Sequence, residues 1–390
     1  MIYVGIDVAK DKHDCLLVNA DGESVFEPFV IINNRGGFYG LLEKIESCSE
    51  DLNHVKVGLE ATGHYSNNLL EFLISKGLTT YVINPLHTNL YRKGLSLRKT
   101  KTDKLEANSI AFMLRTEVLK PYSHSSYQIR ELKSLTRYRF SLVQDLAQLK
   151  SSYARLCVIL FPELETLVSS LHLSSIYALL AELPTADAIA CCHLTRLKNI
   201  LSSNSRGRLS ESRAIEIREH ARNSIGSYSD VKALELRQVI QRIQTLEEQI
   251  KQVESKINPI VDSLKSPLIT VPGISYKMAA MIIAETENFS NFYHPEKILA
   301  FAGLEPSVYQ SGQLTSTHAK MVKRGSKYLR YAIFNATKYV CQWDPHFKAY
   351  LAKKRAEGKP YNVAVSHAAK KLVRVLFHLV KTNQAFVGQP

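Results

Sequence analysis

The 390-residue chain contains no run of about 20 apolar residues, the length that crosses a bilayer, and its opening, MIYVGIDVAK, lacks the basic-then-apolar layout of a secretory leader. These absences argue against a membrane or exported protein and make the cytoplasm the expected compartment. A paired Cys-x-x-Cys motif is also missing. Cys15, Cys48, Cys157, Cys191, Cys192 and Cys341 are scattered, which speaks against a zinc site or a disulfide framework and reads as reduced, mostly buried thiols. Acidic residues are scarce in one place above all. From His318 to Pro390, 15 Lys and Arg stand against only Asp344 and Glu357, leaving 35 basic and 34 acidic residues elsewhere. Nearly all of the formal charge of +14 therefore sits in that tail. Such a footprint suits a polyanion, and with no membrane segment a nucleic-acid backbone is the first candidate. A basic surface that only aids solubility is the plainer alternative.

What is present reads as an ordered series of elements. Short strands are expected over Tyr3–Val8, His13–Val18 and Ser24–Ile32, with a hairpin turn at Asn19-Ala-Asp-Gly22. A helix over Gly37–Cys48, a strand over Lys56–Leu59, a helix over Ser66–Lys76, a strand over Thr79–Ile83 and a helix from about Asp103 follow. Three meander strands and then alternating helix and strand is the order of a ribonuclease-H-like α/β domain, although other mixed sheets share it. Beyond it, Gln128–Leu160 runs helical without proline or glycine. A second long helix begins near Ser229, with Leu236, Val239, Ile243, Leu246, Ile250, Val253, Ile257 and Ile260 spaced as a heptad seam. That seam predicts a coiled coil with another subunit or a helical hairpin within one chain. Between the two, Val168–Arg222 looks helical but irregular, with a turn at Asn204-Ser-Arg-Gly207. After Pro267, an apolar helix end meets Pro272-Gly273-Ile274 and another apolar helix, a spacing that resembles a helix-hairpin-helix presenting backbone N–H groups to phosphate; a simple helical corner is the alternative. The expected division is 1–125, an RNase-H-like (RuvC-like) domain; 126–265, a helical or coiled-coil region; and 266–390, a basic, mainly α domain.

The chemistry is expected in the first domain. Asp7 lies among core-facing Ile6 and Val8 in GIDVAK, where a carboxylate is expensive unless solvated, paired or metal-bound. Glu60 closes the apolar strand VKVGLE in the same way, just before His64 and Tyr65. Strand ends are where sites form in α/β sheets, so the two acids can converge. Asp103 and Glu106, three apart at the start of a helix, share a face. Taken singly, each is also a good helix-terminal residue. Four carboxylates suffice for two Mg²⁺ (or Mn²⁺) ions roughly 4 Å apart, one activating the attacking oxygen and one stabilising the leaving oxygen of a phosphodiester.

The stretches GIDVAK, GLEATGHY and KTDKLEA, with VPGISYKMAAMIIAE, ILAFAGLEPSVYQSG and KRGSKYLRYAIFNA later on, resemble the DEDD-type transposases of the IS110 insertion-sequence family over nearly the whole chain. The resemblance implies an acidic tetrad at Asp7, Glu60, Asp103 and Glu106, the last a Glu where the family has Asp. It also implies a serine nucleophile at Ser311 of YQSG, which without the resemblance is an ordinary turn residue. A serine hydroxyl can attack a phosphodiester and conserve its energy in a covalent protein–DNA bond. Donor and target DNA, a structured element-encoded guide RNA, a homo-oligomer (dimer or tetramer) and a place at the nucleoid of a bacterial or archaeal cell are further implications. Lys320, Lys323, Arg324, Lys327 and Arg330 are read as phosphate contacts. Tyr328, Tyr331 and Tyr339 interleave with them as stacking or core residues. Arg92, Lys93, Arg98, Lys99, Lys101 and Lys104 form a second basic cluster beside Asp103. The rival readings are a metal-dependent junction nuclease in which water attacks, and a nucleic-acid-binding protein without catalysis.

Overall fold

A computed structural model describes the chain apart from residues 61–63, 96–102, 123–126, 206–210, 306–309, 312–313, 316–320 and 389–390. The chain divides into two compact units, Met1–His124 and Ser125–Pro390.

In the first unit β1 (Ile2–Val8), β2 (Lys12–Val18) and β3 (Phe29–Ile32) form an antiparallel meander. After α1 (Arg35–Glu46), β4 (Val55–Glu60) joins β1 in parallel; after α2 (Ser66–Ser75), β5 (Thr79–Ile83) joins β4 in parallel. The sheet order is β3-β2-β1-β4-β5, the mixed arrangement expected from the element order. β3 is shorter than its alternation suggests. Pro28, which has no N–H to give, precedes it, and upstream only Ser24 bridges to Val18. Asn34 caps α1 by accepting from the Gly37 N–H.

Two helices complete the unit, α3 (Pro85–Leu95) and α4 (Asp103–Thr116). α3 is not among the elements expected from the sequence. Its start carries a signal all the same: the Asn84 carboxamide accepts from the Leu86 N–H, and Pro85 opens the helix with its φ already set. One face of the sheet packs on α1 and α2 through Val4, Ile6, Val57 and Leu59. The other face takes α4, with Leu16 and Val18 against Ala107 and Ala111.

The second unit is almost wholly helical. α5 (Tyr127–Leu160) leads through α6 (Leu164–Leu167), α7 (Ser174–Glu182), α8 (Ala186–Cys191), α9 (Leu194–Ser205) and α10 (Glu211–Arg222) to α11 (Asp230–Leu264). The turn expected at 204–207 falls partly outside the described residues. α5 and α11 run antiparallel, as the ion pairs Arg139–Glu254 (2.8 Å), Lys150–Glu247 (2.8 Å) and Arg155–Glu235 (3.1 Å) require. The heptad seam of α11 is therefore packed within the chain. It drifts at its end to Val261, which is buried while Ile260 is only half-buried, as a 3.6-residue period must against a 3.5-residue repeat. One end of the pair builds a core with α6–α10 around Tyr153, Leu160, Leu236 and Ile243. The other end builds a core with α12 (Tyr276–Thr286), α13 (Pro295–Ala302), α14 (Lys327–Trp343), α15 (Pro345–Ala356) and α16 (Tyr361–Thr382). A two-stranded ribbon, β6 (Gln310–Ser311) and β7 (Leu314–Thr315), lies between α13 and α14 in sequence.

At the expected helix-hairpin-helix, a short 3-10 turn (Pro267–Thr270) leads into α12. Gly273, at φ +89°, packs on the backbone of α14: a Cβ there would lie 2.6 Å from the Tyr339 carbonyl carbon. The Ile274 N–H is used internally, donating to the Val271 carbonyl. The glycine thus serves a close helix approach at a corner.

Candidate functional site

The site begins with two glycines. Gly5 of β1 and Gly58 of β4 are register partners on the sheet face that carries α4. A Cβ on Gly5 would lie 2.9 Å from the Ala111 Cβ, and one on Gly58 would lie 2.8 Å from Ile110 Cγ2. With both side chains absent, α4 settles against the strand backbones. Glu106, one residue before Ala107 on that helix, is thereby brought down to the carboxyl ends of β1 and β4.

Two residues along from Gly5 is Asp7, and two along from Gly58 is Glu60, so period-two alternation places both acids on the α4 face. Ligand oxygens of Asp7, Glu60 and Glu106 all lie within 4.8 Å of one another. Asp7 and Glu60 are each 8 % exposed. Three elements distant in sequence supply one carboxylate each to a single point. The donor set is oxygen only, anionic and compact, which fits a hard divalent cation far better than a soft one. The longer Glu106, where the resemblance leads one to expect Asp, still reaches the other two acids. Asp103 opens α4, and its side chain lies outside the described residues.

Beside the acids is a cleft of about 390 Å³ whose lining includes Glu60, Leu86, Thr88, Asn89, Arg92 and Glu106. Arg92 of α3 donates from Nη1 to Glu106 Oε1 at 2.9 Å and from Nη2 to Asn89 Oδ1 at 3.0 Å. Both partners of the ion pair are largely shielded, at 25 % and 15 % side-chain exposure. Of the other residues in the expected basic cluster, Lys93 is exposed, Arg98, Lys99 and Lys101 lie outside the described residues, and Lys104 is placed only as part of α4. His64 is exposed with its ring 4.1 Å from that of Tyr65, the residue immediately before α2.

Asp14, not among the acids expected from the sequence, is buried and stands directly opposite Asp7 across the β1–β2 pair. Its signal was the alternation Asp14, Leu16, Val18 on the α4 face. On the opposite face His13 is fully buried, stacked on Phe38, and its Nδ1 accepts from the Ala9 N–H at 3.4 Å. Burial pushes the His13 imidazole below its ordinary value of 6.5, with Asn33 and the Lys12 backbone opposing the shift.

In the second unit Ser311 pairs with Leu314 in the β6–β7 ribbon, and its side chain lies outside the described residues. Lys320 is likewise outside them. Lys323, Arg324 and Lys327 are exposed around Gly325, and Ser326 caps α14 by accepting from the Leu329 N–H. Arg330 is half-buried and donates to the carbonyls of Ala302 and Lys323, so it shapes the basic turn from behind. The turn is tied to the core by a residue not anticipated from the sequence. Glu285, only 3 % exposed, accepts from Ser326 Oγ at 2.7 Å and takes Arg137 Nε and Nη2 at 2.6 and 3.0 Å. Burial alone would lower the Arg137 pKa, but the bidentate bond and charge of Glu285 raise it overall. Tyr328 and Tyr331 pack edge-on against Phe140, as core residues do, while Tyr339 is exposed.

A mixed five-stranded sheet with acids converging at its strand ends, carried by a chain with a basic tail, suits an enzyme acting on a nucleic-acid backbone. Residues 4–162 match the DEDD-type transposase model of IS110, and residues 265–352 match the model for the transposases of the IS116/IS110/IS902 family. The chain belongs to the IS110 family and is a transposase. It is 24 % identical to the uncharacterized 44.8 kDa protein of insertion element IS116 from Streptomyces clavuligerus, over 100 % of this chain and 97 % of that one. It is 23 % identical to the pilin gene-inverting protein of Moraxella bovis, over 98 % of this chain and 97 % of that one. Among solved structures it is similar to T. thermophilus RuvC in complex with a Holliday junction substrate, with 14 % identity, 31 % of this chain and 100 % of that chain covered, and a TM-score of 0.24.

Proposed function

We propose that this transposase cuts and rejoins the DNA of a mobile element, with divalent cations, Mg²⁺ or Mn²⁺, held by Asp7, Glu60 and Glu106 and by Asp103 as the fourth acid, and with Ser311 as the nucleophile. The observation that carries the reading is the convergence of three carboxylates from β1, β4 and α4 within 4.8 Å. When bound there, the cations supply positive charge to the non-bridging and leaving oxygens of a phosphodiester. The chain's own residues do the rest. Ser311 Oγ forms a bond to phosphorus as the phosphorus–oxygen bond to one sugar breaks, and the hydroxyl proton passes to the departing sugar oxygen. A sugar hydroxyl from the partner strand then attacks the phosphoserine, releasing Ser311 and sealing the new junction. Lys323, Arg324 and Lys327 contact phosphates and fix the register of the DNA, joined by Lys320 and, on the first unit, by Arg98, Lys99, Lys101 and Lys104. Arg330 orients the turn from which these contacts arise. The family resemblance supports a structured RNA from the element as guide, a homo-oligomeric assembly and action at the nucleoid.

The test uses the full-length protein with RNA from the element's non-coding end and both DNA partners. In Mg²⁺, wild type is expected to cleave and to yield a protein–DNA adduct that survives denaturation. Asp7→Asn is expected to lower cleavage by at least about a hundredfold, the size of effect seen when a group that stabilises transition-state charge is removed. Ser311→Ala is expected to leave no adduct. Cleavage by Ser311→Ala at the wild-type rate would establish water as the nucleophile and a nuclease instead.

A further inference from the structure

Arg92 is the described cation that shares an oxygen with the acidic cluster, and this position gives it two incompatible duties. In the structure its Nη1–H lies on Glu106 Oε1 at 2.9 Å. A divalent cation at the cluster takes carboxylate lone pairs as ligands, and a guanidinium N–H bonded to the same carboxylate competes for them. Binding of the cation therefore works against the Arg92–Glu106 bond. Asn89 holds the other end of the guanidinium through Nη2 at 3.0 Å, so Arg92 stays in the cleft when Glu106 leaves it. The cleft is about 390 Å³ and opens beside Glu60 and Glu106, with room for a backbone phosphate and its sugar. A guanidinium matches phosphate in shape as well as charge, presenting two parallel N–H donors to two oxygens.

We propose that Arg92 is a catalytic residue that exchanges partners: it holds Glu106 while the cluster lacks its cation, and once a divalent cation takes Glu106 it turns to the phosphodiester being cut. The proposal rests on the cation reading above. It assigns one role in the metal-free protein, as a counter-charge that keeps crowded acids together, and a second role in the loaded enzyme, as a clamp on the substrate. The arrangement makes loading and substrate capture sequential. A phosphate that arrives before the cation meets an arginine already occupied and three acids that repel it.

The two duties predict effects of opposite sign from one substitution. In Arg92→Gln the cation no longer competes with a guanidinium and meets one positive charge fewer, so Mn²⁺ binding to the full-length protein, measured by calorimetry without nucleic acid, is expected to tighten by about tenfold. In the same variant, cleavage at saturating Mn²⁺ is expected to fall by about a hundredfold for lack of the phosphate clamp. Arg92→Lys keeps the charge and loses the planar fork, so its Mn²⁺ affinity should stay within about twofold of wild type while cleavage recovers only in part. Circular dichroism of each variant separates these effects from misfolding. Unchanged or weaker Mn²⁺ binding by a folded Arg92→Gln overturns the exchange. Wild-type cleavage by Arg92→Gln at saturating Mn²⁺ overturns the substrate role. If instead wild type and Asp7→Asn bind Mn²⁺ equally poorly, the cation reading itself fails and this proposal falls with it.

Discussion

His13 and Asp14 are neighbours on β2, yet the pleat sends them to opposite faces of the sheet, where they meet opposite conditions. Asp14 faces the acidic cluster across from Asp7. His13 is buried among apolar side chains, stacked on Phe38, and its imidazole is driven below 6.5 by desolvation. A histidine whose folded pKa is depressed contributes stability that is complete above the unfolded value and is lost as pH falls through the folded one. The first unit should accordingly lose stability below about pH 6.5, by at most about 1.4 kcal/mol per pH unit for one proton. His13→Phe should flatten that dependence between pH 5 and 7 while lowering the plateau, because the Ala9 N–H then loses its acceptor. Parallel thermal melts of wild type and variant across that range provide the check; curves of identical slope would rule out His13 as the titrating group.

At the scale of elements, the decisive contact is α4 on β1 and β4. A helix rides close to a sheet only where the strands present no side chains, and the paired glycines Gly5 and Gly58 provide that bare strip directly behind Asp7 and Glu60. Gly5→Ala would place a Cβ against the Ala107 backbone and the Ala111 side chain, neither of which can move alone. Overpacking of this kind typically costs about 1–3 kcal/mol, and here it also lifts Glu106 away from the strand ends. The expected result is a lower melting temperature together with weaker Mn²⁺ binding, read in the same calorimetric titration. A variant that melts lower but binds Mn²⁺ as tightly as wild type would show that the acids do not depend on the α4 approach. Elsewhere the α5–α11 pair plays a different part: it is the common wall of two separate cores, one at each end, so the long seam is consumed by folding.

For the molecule as a whole, charge is divided as labour is. The first unit gathers Asp7, Glu60 and Glu106 at one point, and the tail of the second carries the excess of Lys and Arg. The exposed turn of Lys323, Arg324 and Lys327 is anchored through Ser326 to the buried Glu285, which Arg137 also engages, so its geometry is fixed without spending its charges. If these three cations meet DNA phosphates, log affinity against log salt should lose close to one unit of slope for each residue changed to Gln, with little change in sequence preference. Fluorescence anisotropy across a salt series measures this directly. An unchanged slope in the triple variant would place the DNA contacts elsewhere on the tail.

The sequence by itself determined the strands and most helices and pointed to Asp7 and Glu60, because alternation, capping and a carboxylate at the end of an apolar strand are local signals. It also located the basic tail and, through ordered motifs in both halves, the family. Its limits are equally physical. Pro28 shortened β3, and α3 was hidden because its apolar residues Leu86 and Leu90 face outward and give no core stripe. Whether the α11 seam met another subunit or its own chain is undecidable from periodicity, which is the same for both. The pairing of Arg92 with Glu106, the stance of Asp14 opposite Asp7, and the burial of Glu285 under Ser326 were decided only by tertiary structure. Each joins residues from different elements, and no spacing along one element encodes a distance between two.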